Sequence, residues 1–309
     1  MASPRPRIVV LLATHNGVRW LPEQLSSILD QEGVDVRVIA LDDGSTDGTP
    51  EWLDTTALAE PRLTRIPTMP PSGSSVANFL RLIGIAEVRD DELVAFADQD
   101  DIWMPGKLAR HAELLESTGA DGVSSNVTAF TPEGKTTLIK KSDPQRELDF
   151  LLQSPGPGST FLISHRLLEL TRRAIRENPT VSARIDYHDS YMYVVARAHG
   201  WRWHIDSQST VLYRQHDDNV IGANVGAGSA LARLRLIRSR WHRQQAAAMT
   251  ELAVAVAQPA LRPRFEYILG LLHDTGVRSR LELVRLAPQF RRRRRDRLII
   301  GALMALGIW

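Results

Sequence analysis

Short apolar runs alternate with helix-period patterns through the first half of the chain. Residues 8–13 (IVVLLA) are apolar at every position, which predicts a strand buried on both faces. Leu21, Leu25, Ile28 and Leu29 then recur at helical spacing. VRVIAL (36–41) predicts a second strand, ended by DDGSTDG; RLTRI (62–66) predicts a weaker third, and LVAF (93–96) another. Residues 75–88 read as a helix, and Pro105 suits the first position of one running to about Ser117. This βαβα rhythm predicts an α/β fold: a mostly parallel central sheet flanked by helices. Ligands of such sheets gather at the carboxyl ends of the strands. Three polar clusters fall there: Thr14-His15-Asn16, Asp42-Asp43 and Asp98-Gln99-Asp100-Asp101.

The pattern is less regular beyond residue 120. Short strands are expected within 121–140, a loop at SPGPGS (154–159), and helices at 165–176 and 189–199. STVLYRQH (209–216) predicts a strand entering a loop at 217–228, where Gly222, Gly226 and Gly228 suit either a lid or a plain linker. From 229 the pattern is helical and rich in arginine. The expected division is therefore a catalytic domain at 1–228 and a basic, helical C-terminal region at 229–309. Trp201 and Trp203 alternate like strand residues and read as packing rather than as sugar platforms.

Charge sharpens that division. Residues 229–309 carry 16 arginines against five acidic residues, which leaves 22 basic against 31 acidic residues before them. The acidic part argues against nucleic acid as a partner, because phosphate contacts need Lys and Arg. In the tail, Leu231, Leu234, Ile237 and Trp241 recur at helical spacing among arginines, and RRRRR (291–295) precedes twelve apolar residues. As a helix that apolar end is about 18 Å long, too short for a hydrocarbon core of about 30 Å. Basic amphipathic segments lie in the membrane interface, so the expectation is a cytoplasmic protein peripheral to the inner face of the membrane. The apolar run at 8–13 is too short for a secretory signal. The chain has no cysteine, which excludes thiolate chemistry.

Crowded acids need a reason, because like charges repel. In FADQDDIW (96–103), Asp98 and Asp100 are one residue apart and converge on one ion if the chain turns. Mg²⁺ takes about six oxygens, keeps only one or two carboxylates, and leaves room for phosphates; the plain alternative is a solvated helix N-terminus. In LDDGSTDGT (41–49) a carboxylate can accept a ring N–H of a pyrimidine base. The same residues also suit an ordinary turn, or a calcium loop using Asp43, Ser45, Asp47, Gly48 and Asp54. Asp189 in HDSY suits a helix N-cap as well as a general base.

Taken in order, ATHNG with EQLSSILDQ, LDDGSTDGT, FADQDDIWMPGKL, HDSY and LYRQHDDNVIG resemble the motifs of family 2 glycosyltransferases, most closely the bacterial rhamnosyltransferase-like branch, over about residues 7–224. The resemblance implies a GT-A fold, a nucleotide-diphosphate sugar donor (dTDP-rhamnose or a UDP-sugar), Mg²⁺ or Mn²⁺, and inversion at the anomeric carbon. The acceptor would be a cell-envelope glycan or a lipid-linked sugar. By position, Ala13, Thr14, His15 and Asn16 border the nucleoside, and Asp43 resembles the base-binding carboxylate. Asp98 and Gln99 lie near the ribose and diphosphate, Asp100 holds the metal, His216 lies near the diphosphate or metal, and Asp189 matches the general base. Ser159 and Ser190 depart from the branch, which often has cysteine and tryptophan there. A non-catalytic nucleotide-sugar or carbohydrate binding protein on the same scaffold is the alternative.

Overall fold

In the computed structural model, residues 5–216 and 241–309 are described. The loop at 217–228, the boundary near 228 and most of the helix read at 231–241 lie outside them. Contacts group the chain into two compact units. The first comprises Met1–Lys141, Gly156–Ile175 and Arg202–His216. The second comprises Ser142–Pro155, Arg176–Trp201 and the C-terminal residues to Trp309.

The first unit is built on one nine-stranded sheet. Its strands are β1 (Arg7–Thr14), β2 (Asp35–Asp42), β3 (Leu63–Arg65), β4 (Glu92–Ala97), β5 (Ile102–Trp103), β6 (Gly122–Phe130), β7 (Thr136–Ile139), β8 (Leu162–Ile163) and β9 (Trp203–Arg214). The helices are α1 (Leu21–Leu29), α2 (Thr49–Ala59), α3 (Ser75–Ile85), α4 (Lys107–Thr118) and α5 (His165–Glu177), the last of which runs on into the second unit. The order is β3-β2-β1-β4-β8-β6-β9-β5, with β7 on β6. Pairing is parallel from β3 to β4, as the βαβα rhythm predicts. It turns antiparallel where β8 joins β4 and β6, then parallel again between β6 and β9. A two-residue strand such as β8 carries no period that a sequence pattern could reveal.

β1 is central, and residues 8 to 12 are completely buried. Ile8, Val10 and Leu12 share one cluster with Leu21, Leu25 and Ile28 of α1, Leu53 of α2, and Leu108 and Leu115 of α4. Alternate residues of a strand face opposite ways, so Val9 and Leu11 pack on the other side, where α3 lies against β1. Because β1 pairs with β2 and β4 in level register, Thr14 stands opposite Asp42 and Leu12 opposite Ala97. Three strands therefore end together, and the polar clusters that follow them share one edge.

One expected helix start moves. Pro105 lies in a turn, and α4 begins at Lys107 after Gly106, whose φ of 76° favours glycine. Trp203 is buried, as expected of packing: its indole N–H donates to Ser124 Oγ (3.0 Å), and its ring sits where a Cβ at Gly122 would stand (2.4 Å).

The second unit is helical: α6 (Pro179–Ser182), α7 (His188–Ala198), α8 (Trp241–Val256), α9 (Arg262–His273), α10 (Val277–Phe290) and α11 (Arg294–Leu306). Phe150 sits edge-on between Tyr193 (6.3 Å) and Phe265 (5.9 Å) in its core. In the apolar C-terminal run Ile300, Met304 and Trp309 are buried, while Leu298, Ile299, Leu306 and Ile308 are exposed. Among the described residues no helix is long and apolar enough to cross a membrane.

Candidate functional site

The loops after β1, β2 and β4 are tied to one another by side chains. Gln99 and the His15 backbone form a reciprocal pair: His15 N–H donates to Gln99 Oε1, and Gln99 Nε2 donates to the His15 carbonyl, both at 2.8 Å. This extends the β1–β4 ladder beyond its last backbone rung. Gly17 makes room for it, since a Cβ there would stand 2.1 Å from Gln99 Oε1. Asn16 takes a left-handed conformation (φ 50°), a geometry asparagine tolerates better than most residues. From there its backbone N–H reaches Ser45 Oγ (2.7 Å), and its Oδ1 accepts from Thr46 N–H (2.8 Å). The Ala13 side chain is buried, and Thr14 Oγ1 donates to Asp42 (2.9 Å).

The two acids of DDGS have different tasks. Asp42 accepts from Thr14 and from both the hydroxyl and N–H of Ser45, and so fastens β2 to β1. Asp43 is 6% exposed and turns to the loop before α3: Oδ1 accepts from Ser72 N–H (2.5 Å), and Oδ2 from the Ser72 hydroxyl (2.8 Å) and Gly73 N–H (3.2 Å). The calcium reading fails here. Asp47 bonds to Thr49 and Val18, Asp54 pairs with Arg65 on another side, and Asp43 faces Ser72, so the acids do not surround one point.

In the Asp98–Asp101 cluster the acids separate by depth. Asp101 is fully buried; burial, then the charges of Asp100 and Asp98, push its carboxyl well above the usual carboxylate range. Beneath it, Lys107 is buried with Nζ 3.3 Å from the Trp103 ring centre, and burial holds its ammonium well below its ordinary pKa. Asp98 and Gln99 are half-buried in the same turn. Asp100 Oδ2 meets His216 Nε2 at 2.8 Å, joining residues 116 positions apart. His216 stacks on Trp20 (5.5 Å), and Arg214 lies 4.5 Å from the Trp20 ring centre while donating to the Asp100 carbonyl (2.9 Å). Trp20, Arg214, Ser72 and Lys107 were not singled out from the sequence. The partners of Trp20, Arg214 and Ser72 are distant in the chain, those of Lys107 are near but give no local pattern, and only the charge of Arg214 beside His216 hints at a shared task.

No group of three His, Asp or Glu side chains capable of caging a metal is present among the described residues. Two converging donors, Asp100 Oδ2 and His216 Nε2, nevertheless fit a dication that keeps waters and phosphate oxygens as its other ligands. Asp189 belongs to the second unit, in the first turn of α7 rather than at its N-cap, which is Tyr187. Its Oδ2 accepts from Ser154 Oγ (2.9 Å) and its Oδ1 from Ser190 N–H (2.6 Å). His188 beside it is buried and held at a pKa of about 4 by desolvation, hence neutral.

Comparison with known proteins agrees with this architecture. The chain is 33% identical over 299 residues to the dTDP-rhamnosyl transferase RfbG of Shigella flexneri, covering 96% of this chain and 100% of the relative. Its fold is similar to that of S. aureus TarS 1-349 solved with UDP-GlcNAc (TM-score 0.57, 15% identity, 97% of this chain and 81% of that one). It is also similar to the mannosyltransferase PcManGT of Pyrobaculum calidifontis solved with GDP-Man and Mn²⁺ (TM-score 0.53, 19% identity, 99% and 82%). At such identities the likeness speaks for the fold, which is GT-A, with the C-terminal helices added. Residues 9–168 match the family model for glycosyl transferase family 2. With that match over half of the chain and a relative aligned over its whole length, the chain belongs to glycosyl transferase family 2.

Proposed function

We propose that this glycosyltransferase is an inverting, metal-dependent enzyme. In this reading it moves a sugar from a nucleoside-diphosphate donor, dTDP-rhamnose or a UDP-sugar, to a hydroxyl of a cell-envelope glycan or lipid-linked acceptor. The observation that carries it is the convergence of Asp100 and His216 at 2.8 Å beside the joined ends of β1, β2 and β4. The RfbG relative, named for dTDP-rhamnose, supports the choice of donor.

Thr14, His15 and Asn16 border the nucleoside. Asp43 takes the base: its carboxylate has about four lone-pair sites, and Ser72 and Gly73 occupy three. The pyrimidine ring N–H would take the remaining site, on Oδ1, which Arg81 Nη1 also approaches to 3.9 Å. Asp98 and Gln99 serve the ribose and diphosphate side. Asp100 and His216 would hold Mg²⁺ or Mn²⁺; the imidazole nitrogen favours Mn²⁺, since Mg²⁺ prefers oxygen. When bound, the metal neutralises charge on the departing diphosphate. Asp189 accepts the acceptor's hydroxyl proton as that oxygen bonds to the anomeric carbon. The bond from that carbon to the diphosphate breaks, and the nucleoside diphosphate leaves with the electron pair. Such base catalysis is worth about 10²–10⁴-fold.

The test is thermal unfolding against dTDP-rhamnose, UDP-glucose, UDP-GlcNAc and GDP-mannose, each with Mg²⁺ or Mn²⁺. A native-state ligand raises the melting temperature. Asp189→Asn keeps this protection and loses transfer; Asp100→Ala loses the metal-dependent part of it. Full turnover in Asp189→Asn would remove that residue from its role.

A peripheral membrane location is part of the same proposal. Leu281 of α10 and Leu298, Ile299 and Leu306 of α11 are 50–69% exposed, and the exposed Arg285 and Arg295 accompany them. Mixed apolar and cationic helix faces suit an anionic leaflet. Co-sedimentation with phosphatidylglycerol vesicles, absent with phosphatidylcholine and abolished by Leu298→Asp/Leu306→Asp, is the expected result.

A further inference from the structure

The arginine run at 291–295 reads as a solvated charge block, but Arg292 is 3% exposed, with its side chain fully buried. Burying a guanidinium is costly unless it is paired and hydrogen-bonded, so its partners indicate what it is for. Its Nη1 lies 3.5 Å from Asp149 Oδ2, and its backbone N–H donates to Gln153 Oε1 (3.1 Å). Its Nη2 donates to the carbonyl of Ser154. The hydroxyl of the same Ser154 donates to Asp189 Oδ2 at 2.9 Å. Asp149 is itself anchored, accepting from Tyr193 Oη (3.0 Å) and lying 3.6 Å from Arg197. One guanidinium therefore holds both ends of the short segment from Asp149 to Ser154, and the far end of that segment grips the carboxylate of Asp189. All these residues lie in the second unit.

We propose that Arg292 and Ser154 are positioning residues that fix the orientation of the Asp189 carboxylate, which makes the C-terminal helical region part of the machinery of proton transfer. This rests on the reading of Asp189 as the general base. A carboxylate can rotate about its last bond, and a serine hydroxyl on one oxygen, with Ser190 N–H on the other, removes that freedom. Misplacing a reacting group by about 1 Å can cost about 10²-fold.

The test needs no knowledge of the acceptor. Carbodiimide labelling of carboxylates, followed by mass spectrometry, reads Asp189 directly. Ser154→Ala removes the hydroxyl and Ser154→Thr keeps it. Arg292→Lys keeps charge opposite Asp149, but a single ammonium cannot span Asp149 and the Ser154 carbonyl as a planar fork does. Labelling of Asp189 rises about two- to tenfold in Ser154→Ala and Arg292→Lys, as loss of one net hydrogen bond implies. Ser154→Thr restores the native rate, the double variant is no worse than either single one, and labelling of Asp47 stays constant throughout. Unchanged Asp189 labelling in both Ser154→Ala and Arg292→Lys overturns the proposal. So does an equal rise at Asp47, which would mean general loosening. Release of dTDP from dTDP-rhamnose with Mn²⁺ separates the two levels. If Asp189→Asn abolishes it while Ser154→Ala and Arg292→Lys leave kcat untouched, the base stands and the positioning fails; if Asp189→Asn turns over normally, the base reading itself fails.

Discussion

Gly17→Ala tests the joint between β1 and β4. The new Cβ would lie 2.1 Å from Gln99 Oε1 and 2.4 Å from its Cδ. A glutamine side chain can swing away, so the clash alone sets no large cost. Swinging away, however, breaks both hydrogen bonds to the His15 backbone. At about 0.5–1.5 kcal/mol net for each bond, the loss is about 1–3 kcal/mol. Gln99→Ala loses the same two bonds and also empties the space that the new methyl needs. The double variant should therefore be about as stable as Gln99→Ala alone, giving a coupling of about 1–3 kcal/mol. Urea unfolding of the four proteins completes the cycle. Additivity within about 0.5 kcal/mol, the behaviour of independent sites, would show that Gly17 is there for a reason other than making room for Gln99.

Three further outcomes follow from burial and hydrogen bonding. His188 has a folded pKa of about 4 against an ordinary 6.5; its stability contribution is whole above pH 6.5 and is lost as pH falls towards 4, about 3 kcal/mol in all. Urea midpoints of the protein and of His188→Gln, compared between pH 7.5 and 4.5, should show the variant losing less; parallel losses would contradict this. Phe96→Ala removes a fully buried ring that meets Phe79 edge-on at 6.4 Å and should cost about 3–5 kcal/mol by thermal or urea unfolding. Asp42→Asn leaves one acceptor oxygen where three donors converge. It should lower stability by about 1–3 kcal/mol, and a neutral result in urea would show that Ser45 and Thr14 find other partners.

The parallel half of the fold was legible because each strand is a bounded apolar run and each intervening helix has its own period. The three polar clusters were legible for the same reason: once β1, β2 and β4 are placed, whatever follows them shares an edge. The rest depended on contacts that leave no local trace. Asp43 meets Ser72 and Gly73 across 29 and 30 positions, in a proline- and glycine-rich stretch with no pattern of its own. Lys107 looks like a surface residue at a helix start, and only the ring of Trp103 and the neighbourhood of Asp101 make its burial intelligible. Arg292 is one of five identical letters, and nothing in the run marks it as the buried one. The second unit draws on segments at Ser142–Pro155 and Arg176–Trp201 as well as the tail, a grouping that hydropathy along the chain cannot express.

Consecutive residues at a strand end look to opposite sides, and Asp42 and Asp43 show what that permits. One letter of the pair is a rivet between the loops after β1 and β2, while its neighbour is a second rivet, holding the loop before α3. Damage to the first should let the ends of β1 and β2 wander while the loop before α3 stays fastened; damage to the second should free that loop while the strand ends stay joined. A purifier comparing two such proteins would see both melt early, each with a different stretch of backbone opened to proteolysis.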